Sequence, residues 1–358
     1  MIGVLAAAVV SAGTAYAMTT AQPSKQAPEV ASVADFTSSS PTAIYLEADL
    51  NGRNEQMKTP RSAMGDPRGT AVELLRIRGN QVAFEITWQN LTAPTVARVH
   101  AGASGTTGGS VIPMVTAPMS ATLTAVAGSV TVNDARLLVR LVNNPSQFYL
   151  NMGDAKYPNG AVRGQFRRIA PVDFQRIMHV GPFAALNSGD QEVSTASDTN
   201  ARASAFLGLG TTSVNYAVSW SGLTSPTAFT VDAGAVVMNG APVATLFTAP
   251  GGLAPSITAV AGMAMNVPAK TIAAMKADPA MFYTNLTTGR FPAGAARGQL
   301  FLATAPTTTM PTTTMPTKPT TTMPTQPTMP TQPTTPTQPT MSSQPMMPSV
   351  STPAPPHW

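Results

Sequence analysis

Apolar side chains recur at every second position over Val82-Ala83-Phe84-Glu85-Ile86-Thr87-Trp88, so Val82, Phe84, Ile86 and Trp88 share one face. The same alternation returns at Val214, Tyr216, Val218 and Trp220. A period of two built from β-branched and aromatic residues predicts half-buried antiparallel strands. Trp88 and Trp220 are then core aromatic anchors. Both strands run into similar turns, Asn90-Leu91-Thr92-Ala93-Pro94-Thr95 and Gly222-Leu223-Thr224-Ser225-Pro226-Thr227. One helix is expected in each copy. The first spans Asn133–Val142, with Leu137, Leu138 and Leu141 on one side. The second spans Val267–Ala277, capped by Asn266 with Pro268 in its first turn. Asn144-Pro145 and Asp278-Pro279 end them.

A longer phrase also occurs twice. Residues 148–166 read FYLNMGDAKYPNGAVRGQF and residues 282–300 read FYTNLTTGRFPAGAARGQL. Each joins an aromatic-rich strand, including Tyr149 or Tyr283 as a further core aromatic, to a Pro-x-Gly-Ala turn and an Arg-Gly-Gln strand start. Arg163 and Arg297 are 134 residues apart, as are Asn151 and Asn285, whereas Trp88 and Trp220 are 132 apart. The two-residue shift between the blocks is read as a small loop insertion. Upstream, Ala48-Asp49-Leu50-Asn51-Gly52 is matched to Ala184-Ala185-Leu186-Asn187-Ser188. Repetition over more than a hundred residues means two copies of one domain.

Many short strands and one helix per copy predict a mainly all-β chain of two tandem Greek-key β-sandwich domains. The expected divisions are a signal peptide at 1–17, a flexible segment at 18–40, domain 1 at 41–169, domain 2 at 170–304, and a disordered stalk at 305–358. The first residues, MIGVLAAAVVSAGTAYA, carry an apolar run and an Ala-Tyr-Ala cleavage pattern. No later segment is apolar enough to span a bilayer. From Pro306 the chain is a Thr/Pro/Met-rich run with one charged side chain, Lys318. Proline every few residues blocks helix and sheet, and Thr, Gln and Met bury too little area to offset ordering entropy. Such Thr-Pro runs are frequent acceptors of O-linked sugars. Two sequons, at Asn90 and Asn285, also fit an exported chain, but a glycan on Asn285 would sit inside the repeated strand.

The chain has no cysteine, which removes disulfides, Cys-type zinc sites and thiol nucleophiles. Only 10% of residues are charged, and the net charge of +5 is spread without a basic run. Nucleic-acid binding, which needs clustered Lys and Arg, is not expected.

Each copy resembles the CHRD domain, the repeat first described in chordin and found in many secreted proteins. The family pattern opens with Leu-x-Gly…Glu, continues through Ala-His-Ile-His-x-Gly, and closes with Tyr-Val-Asn-Val-His-Thr, a Pro-x-Gly turn and Glu-Ile-Arg-Gly-Gln-Leu. The closing phrase is the specific part. It places Asn151, Pro158, Gly160, Arg163, Gly164 and Gln165 in copy one, and Asn285, Pro292, Gly294, Arg297, Gly298 and Gln299 in copy two. The resemblance implies a sandwich layout shared with copper/zinc superoxide dismutases, a likeness of fold only. The histidines of the pattern are largely gone. Arg98 and His100 stand in the His-x-His positions of copy one, and Thr230 and Asp232 in those of copy two. The glutamate of the closing phrase is Ala161 or Ala295.

A His-x-His pair on one strand face holds a metal only if further ligands converge. His100 is therefore a weak metal candidate and is expected to serve as a hydrogen-bonding residue; neither a cofactor nor a catalytic residue is expected. Asp49 and Glu55 are expected as surface strand residues. Arg163 and Arg297 each offer five fixed donors, suited to tying down a neighbouring turn or to contacting an anion or partner. The expectation is a secreted, non-enzymatic surface or extracellular-matrix protein contacting an extracellular protein or glycan. A soluble binder of a signalling ligand is the alternative, and a metal-dependent superoxide dismutase-like enzyme is the second alternative. Low charge and abundant Thr, Ala and Gly permit self-association.

Overall fold

The architecture is taken from a computed structural model, which describes residues 31–32, 34, 36, 41–55, 65–91, 93–174, 176–193 and 196–303. The leader expected at 1–17 and the stalk at 305–358 lie outside the described residues. The first copy contains β1 (Ile44–Asn51), β2 (Thr70–Arg78), β3 (Gln81–Gln89), β4 (Val96–Ala101), β5 (Ser110–Val115), β6 (Leu123–Thr131), α1 (Ala135–Asn143), β7 (Phe148–Gly153) and β8 (Val162–Ile169). The second contains β9 (Phe183–Ser188), β10 (Arg202–Leu209), β11 (Ser213–Ser221), β12 (Pro226–Ala233), β13 (Pro242–Thr248), β14 (Ile257–Met265), α2 (Ala269–Ala277), β15 (Phe282–Thr288), β16 (Ala296–Gln299) and β17 (Phe301–Leu302). All strand pairings are antiparallel. The fold is mainly β, as its alternating pattern predicts.

In the first copy one sheet runs β6-β3-β2-β1-β8 and the other β8-β7-β4-β5. The chain crosses from β3 to β4 and returns from β5 to β6 beside β3, a Greek-key path. The facing sides supply the core, with Leu46, Leu75, Phe84, Ile86 and Trp88 opposite Val99, Ile112, Leu150 and Met152. Strand β8 belongs to both sheets. Its first half pairs with β7 and its second half with β1. The second copy repeats the plan, with β16 on β15 and β17 on β9.

The two copies join edge to edge. β6 pairs with β14, with Val126 opposite Val260, Ala125 opposite Ala261 and Ala127 opposite Ala259. These strands carry one sequence, Thr-Ala-Val-Ala-Gly, at 124–128 and 258–262. Val126 and Val260 are the same position of the two copies, so a pseudo-two-fold axis passes between them. Gly128 and Gly262 are required there. A Cβ on either would lie 2.0 Å from the Ser256 oxygen or 2.2 Å from the Thr122 oxygen. Those carbonyls accept from Ser129 N and Met263 N, both at 2.9 Å. The connector lies over this seam, with Ile177 packed on Ala125, Ala217, Ala259 and Ala261.

Three local expectations are corrected. Helix α2 starts from Pro268 with no side-chain cap, because Asn266 takes φ 60° at the strand exit. The segment expected to be flexible, 18–40, is fixed where it is described. Ala31 and Phe36 are buried, and Asn143 at the end of α1 both donates to and accepts from the Ala31 backbone. The third correction is a register. β9 aligns with β1 one residue later than the sequence match assumed, since Leu50 and Asn187 both pair with the alanine opposite the tryptophan, Ala71 or Ala203. Gly189 is thus the counterpart of Gly52, and Glu192 of Glu55. Both glycines open a 3₁₀ turn that ends on its glutamate.

Candidate functional site

The repeated motif residues gather on the outer face of the second sheet, and overlying loops bury them. Alternation along β7 sends Phe148, Leu150 and Met152 into the core, and Tyr149 and Asn151 outward. Register then aligns His100, Tyr149 and Gln165 in one row, and Arg98, Asn151 and Arg163 in the next. Tyr149 and Tyr283, expected as core aromatics, are buried at 2% and 3% exposure, on the face of their sheet turned away from the main apolar cluster. Trp88 and Trp220 lie within it.

Arg163 is only 3% exposed. Its guanidinium carbon lies 3.4 Å from the Tyr149 ring centre, a cation–π contact. It donates to Thr106 O at 2.7 Å, Ala103 O at 3.0 Å and Gln165 Oε1 at 3.1 Å. Gln165 Nε2 in turn donates to Gly102 O at 2.9 Å and Ser146 O at 2.7 Å. The Arg-Gly-Gln phrase thus pins the β4–β5 loop to the place where β8 changes sheets. Gly164 makes that crossing sterically feasible, since a Cβ there would be 2.4 Å from Asp49 O. Burial pulls the Arg163 pKa down, while Tyr149 and Glu55 oppose the shift.

The second copy uses the same parts. Arg297, 2% exposed, lies 3.5 Å from the Tyr283 ring centre and donates to Ala235 O at 2.8 Å and Asn239 Oδ1 at 3.2 Å. Gln299 Nε2 donates to Gly234 O and Ala280 O at 2.8 and 2.6 Å. Gly298 again faces backbone, with a Cβ 2.7 Å from Leu186 O.

A glutamate lies under each Pro-x-Gly turn. Glu55, expected at the surface, is buried, and Asn151 Nδ2 donates to its two oxygens at 3.0 and 3.1 Å. Asp49 is exposed and pairs with Arg167 at 3.3 Å. Gly160 has φ 147°, and a Cβ on it would stand 2.5 Å from Glu55 Oε2. Gly294 has φ 151°, with the equivalent distance to Glu192 Oε2 at 2.4 Å. The turn that follows Pro158 or Pro292 therefore needs a glycine because a carboxylate occupies the space beneath it.

The copies differ in how that carboxylate is satisfied. In the second, Asn285 Nδ2 donates instead to Ala293 O at 3.3 Å. Glu192 Oε1, Asp232 Oδ1 and Asn285 Oδ1 are buried without a hydrogen-bond partner. Burial pushes Glu192 up to about 7; Arg297 opposes the shift and Asp232 adds to it. Burial also raises Asp232, against hydrogen bonds from Thr230, Asn285 and Tyr283 and the charge of Arg297. Such a desolvated carboxyl pair retains a proton where a solvated one would lose it. Glu192 Oε1 and Asp232 Oδ1 are shut off from solvent, with the turn at Gly294 lying against the Glu192 carboxyl.

His100 stacks on Tyr149, with ring centres 5.1 Å apart and planes at 17°. Its Nδ1 is 3.0 Å from Gly108 O. A carbonyl only accepts, so Nδ1 carries the proton and donates. Among the described residues no three His, Cys, Asp or Glu side chains are grouped to hold a metal ion. His179 lies exposed in the connector. Sequence reasoning missed Glu192, because the one-residue slip hid the shared Gly-x-x-Glu spacing of Gly52…Glu55 and Gly189…Glu192.

Among the described residues no helix is long and apolar enough to cross a membrane. No curated protein and no solved structure gave a match to the chain. A profile of the CHRD domain matches residues 46–166 and 183–300, more than half of the chain. CHRD domains form a non-enzymatic family found in extracellular and secreted proteins. With both copies matched from the first strand to the Arg-Gly-Gln phrase, the chain belongs to the CHRD domain family as a tandem pair.

Proposed function

We propose that this chain is a secreted, non-enzymatic surface or extracellular-matrix protein. Its paired CHRD domains contact an extracellular protein or glycan, and its Thr/Pro/Met-rich segment acts as a stalk. One observation carries the reading. The most distinctive polar groups, Arg163 and Arg297, point their donors at loop carbonyls and an asparagine of their own domain. A motif used this way fixes the shape of a loop surface, which suits recognition, and leaves no nucleophile–base pair for chemistry. The seam supports it further, because it fixes the two loop surfaces relative to each other.

Fractionation of the source cells tests this reading, with a blot comparing the apparent mass of the protein to that of the bare chain. The expected result is a heavy, glycosylated species retained in the wall or matrix. A species of plain mass, free in the medium, would overturn the stalked surface protein in favour of a soluble binder.

A further inference from the structure

The two-residue change of offset between the copies has a definite place in the fold. Thr116-Ala117-Pro118 and Thr248-Ala249-Pro250 are 132 apart, and the seam strands that follow are 134 apart. The surplus is Gly251-Gly252. Backbone bonds fix the match, with Met119 N donating to Pro94 O at 2.9 Å and Leu253 N to Pro226 O at 3.0 Å. The inserted pair forms one wall of an open cleft of about 400 Å³ at the end of the second copy. The β11–β12 turn, the β15–β16 turn and Asp198 form the others.

This cleft is shaped by left-handed backbone, shared with the first copy at Asn90 and Ala93, φ 57° and 41°, and extended here by Gly252. Gly222, Ser225 and Gly252 all have left-handed φ, at 74°, 50° and 79°. Ser225 bears a Cβ in a conformation that costs roughly 1–2 kcal/mol for an L-residue. Gly252 packs against it, where a Cβ would come 2.9 Å from both the Ser225 Cβ and O. Strain of this kind persists where the surroundings enforce it, and it is common at ligand clamps.

The lining suits one chemistry. Thr224 and Ser225 bring hydroxyls able to donate and accept, while the Thr227 hydroxyl is engaged with that of Thr287 at 3.0 Å. Arg290 sits at the tip of the β15–β16 turn, its guanidinium carbon 5.2 Å from the centre of the half-buried Phe291 ring. Among the described residues Arg290 takes part in no ion pair. Asp198 across the cleft balances its charge. A ligand here meets hydroxyls, one fork of donors, one carboxylate and one aromatic ring, with no net charge.

We propose that this cleft binds a neutral oligosaccharide. The volume falls within the ~300–1,000 Å³ typical of small-ligand sites. Sugar hydroxyls would meet Arg290 and Asp198 as donor and acceptor, and the apolar edge of a pyranose would lie on Phe291. Balanced charge favours a neutral sugar over an acidic one. The proposal rests on the glycan branch of the proposed function.

The test uses the full chain in isothermal titration calorimetry with a β-1,4-glucose tetramer, an α-mannose tetramer and a uronic-acid tetramer. The variants are Arg290→Ala, deletion of Gly251-Gly252, and Lys156→Ala at the equivalent turn of the first copy. The expected result is saturable binding of at least one neutral tetramer, weakened about tenfold or more by Arg290→Ala and abolished by the deletion. Lys156→Ala should bind as the wild type does. Fluorescence unfolding midpoints verify folding; if the deletion does not fold, Arg290→Ala decides alone. Binding that survives Arg290→Ala, a preference for the uronic-acid tetramer, or no binding of either neutral tetramer would overturn the proposal. Sedimentation with isolated wall polysaccharide separates the two failures. Co-sedimentation undiminished in Arg290→Ala sinks this cleft and leaves the glycan branch standing, whereas no co-sedimentation of the wild type sinks both.

Discussion

Glu73 faces into the core of the first sandwich. It pairs in register with Ala48 and Ile86 and shares its side of β2 with Ala71, Leu75 and Ile77. It is 0% exposed, and neither carboxyl oxygen has a hydrogen-bond partner. Burial alone holds its pKa well above the ordinary carboxylate range. The counterpart in the second copy is Ala205. Replacing Glu73 with methionine keeps an unbranched side chain of similar reach and removes the ionisable group. The folded pKa exceeds the unfolded one, so the native state binds the extra proton. Wild-type stability from this group is fully present below ~4.3 and falls as the pH rises from there toward the folded value. Each pH unit over which the folded group keeps its proton and the unfolded one has lost it costs ~1.4 kcal/mol. Glu73→Met should therefore gain stability relative to wild type as the pH rises above about 5, with the gap between the two curves ceasing to change below about pH 4. The assay is urea unfolding followed by fluorescence of the buried Trp88 and Trp220, repeated at half-unit pH steps. Taking the difference between the proteins cancels the slopes from Glu85 and Glu192, which burial also raises, each to about 7. Parallel curves from pH 5 to 7, or a variant less stable than wild type at pH 7, would refute the reasoning.

Arg163→Met should lower stability by about 3–6 kcal/mol, since it removes the two charge-assisted hydrogen bonds to the β4–β5 loop, worth ~1.5–3 kcal/mol each, and with them frees that loop. Hydrogen exchange should show faster amides at 103–108 in that variant; unchanged protection there would contradict the clamp. Gly128→Val should open the seam, because no Cβ fits against the Ser256 carbonyl, and the Ser129 amide should then exchange faster while the β4–β7 amides do not. The first copy expressed alone, residues 31–169, exposes the β6 edge and should dimerise or aggregate in analytical ultracentrifugation; a stable monomer at 100 μM would count against the seam's strength.

Much of this layout was legible in the sequence, and the losses have physical causes. Alternation in β3 and β11 gives their faces because the period of a strand is two. The closing phrase locates the corner of each sandwich because Arg, Gly and Gln each meet a distinct geometric demand there. Alternation also shows which side of β7 carries Tyr149, but not that the β4–β5 loop folds over that side and buries it. Glu73 breaks the pattern of its own strand, and local rules place such a residue outside. Glu192 was lost to a register error of one residue, which in a strand exchanges the two faces. The Thr-Ala-Val-Ala-Gly repeat was readable as a match; pairing between its two copies is a long-range fact that a strand's own sequence does not encode.

The seam also bears on how such a chain arises. Two edges meeting about a two-fold axis form an isologous contact, the geometry of a homodimer, here within one polypeptide. A short connector holds the partners at millimolar effective concentration, so their pairing no longer depends on protein abundance. Once joined, the two halves are free to diverge. One keeps His100 where the other has Asp232, and one gains two glycines the other lacks. Fusion of this kind turns a symmetric dimer, obliged to present the same surface twice, into an asymmetric molecule that can offer two different ones.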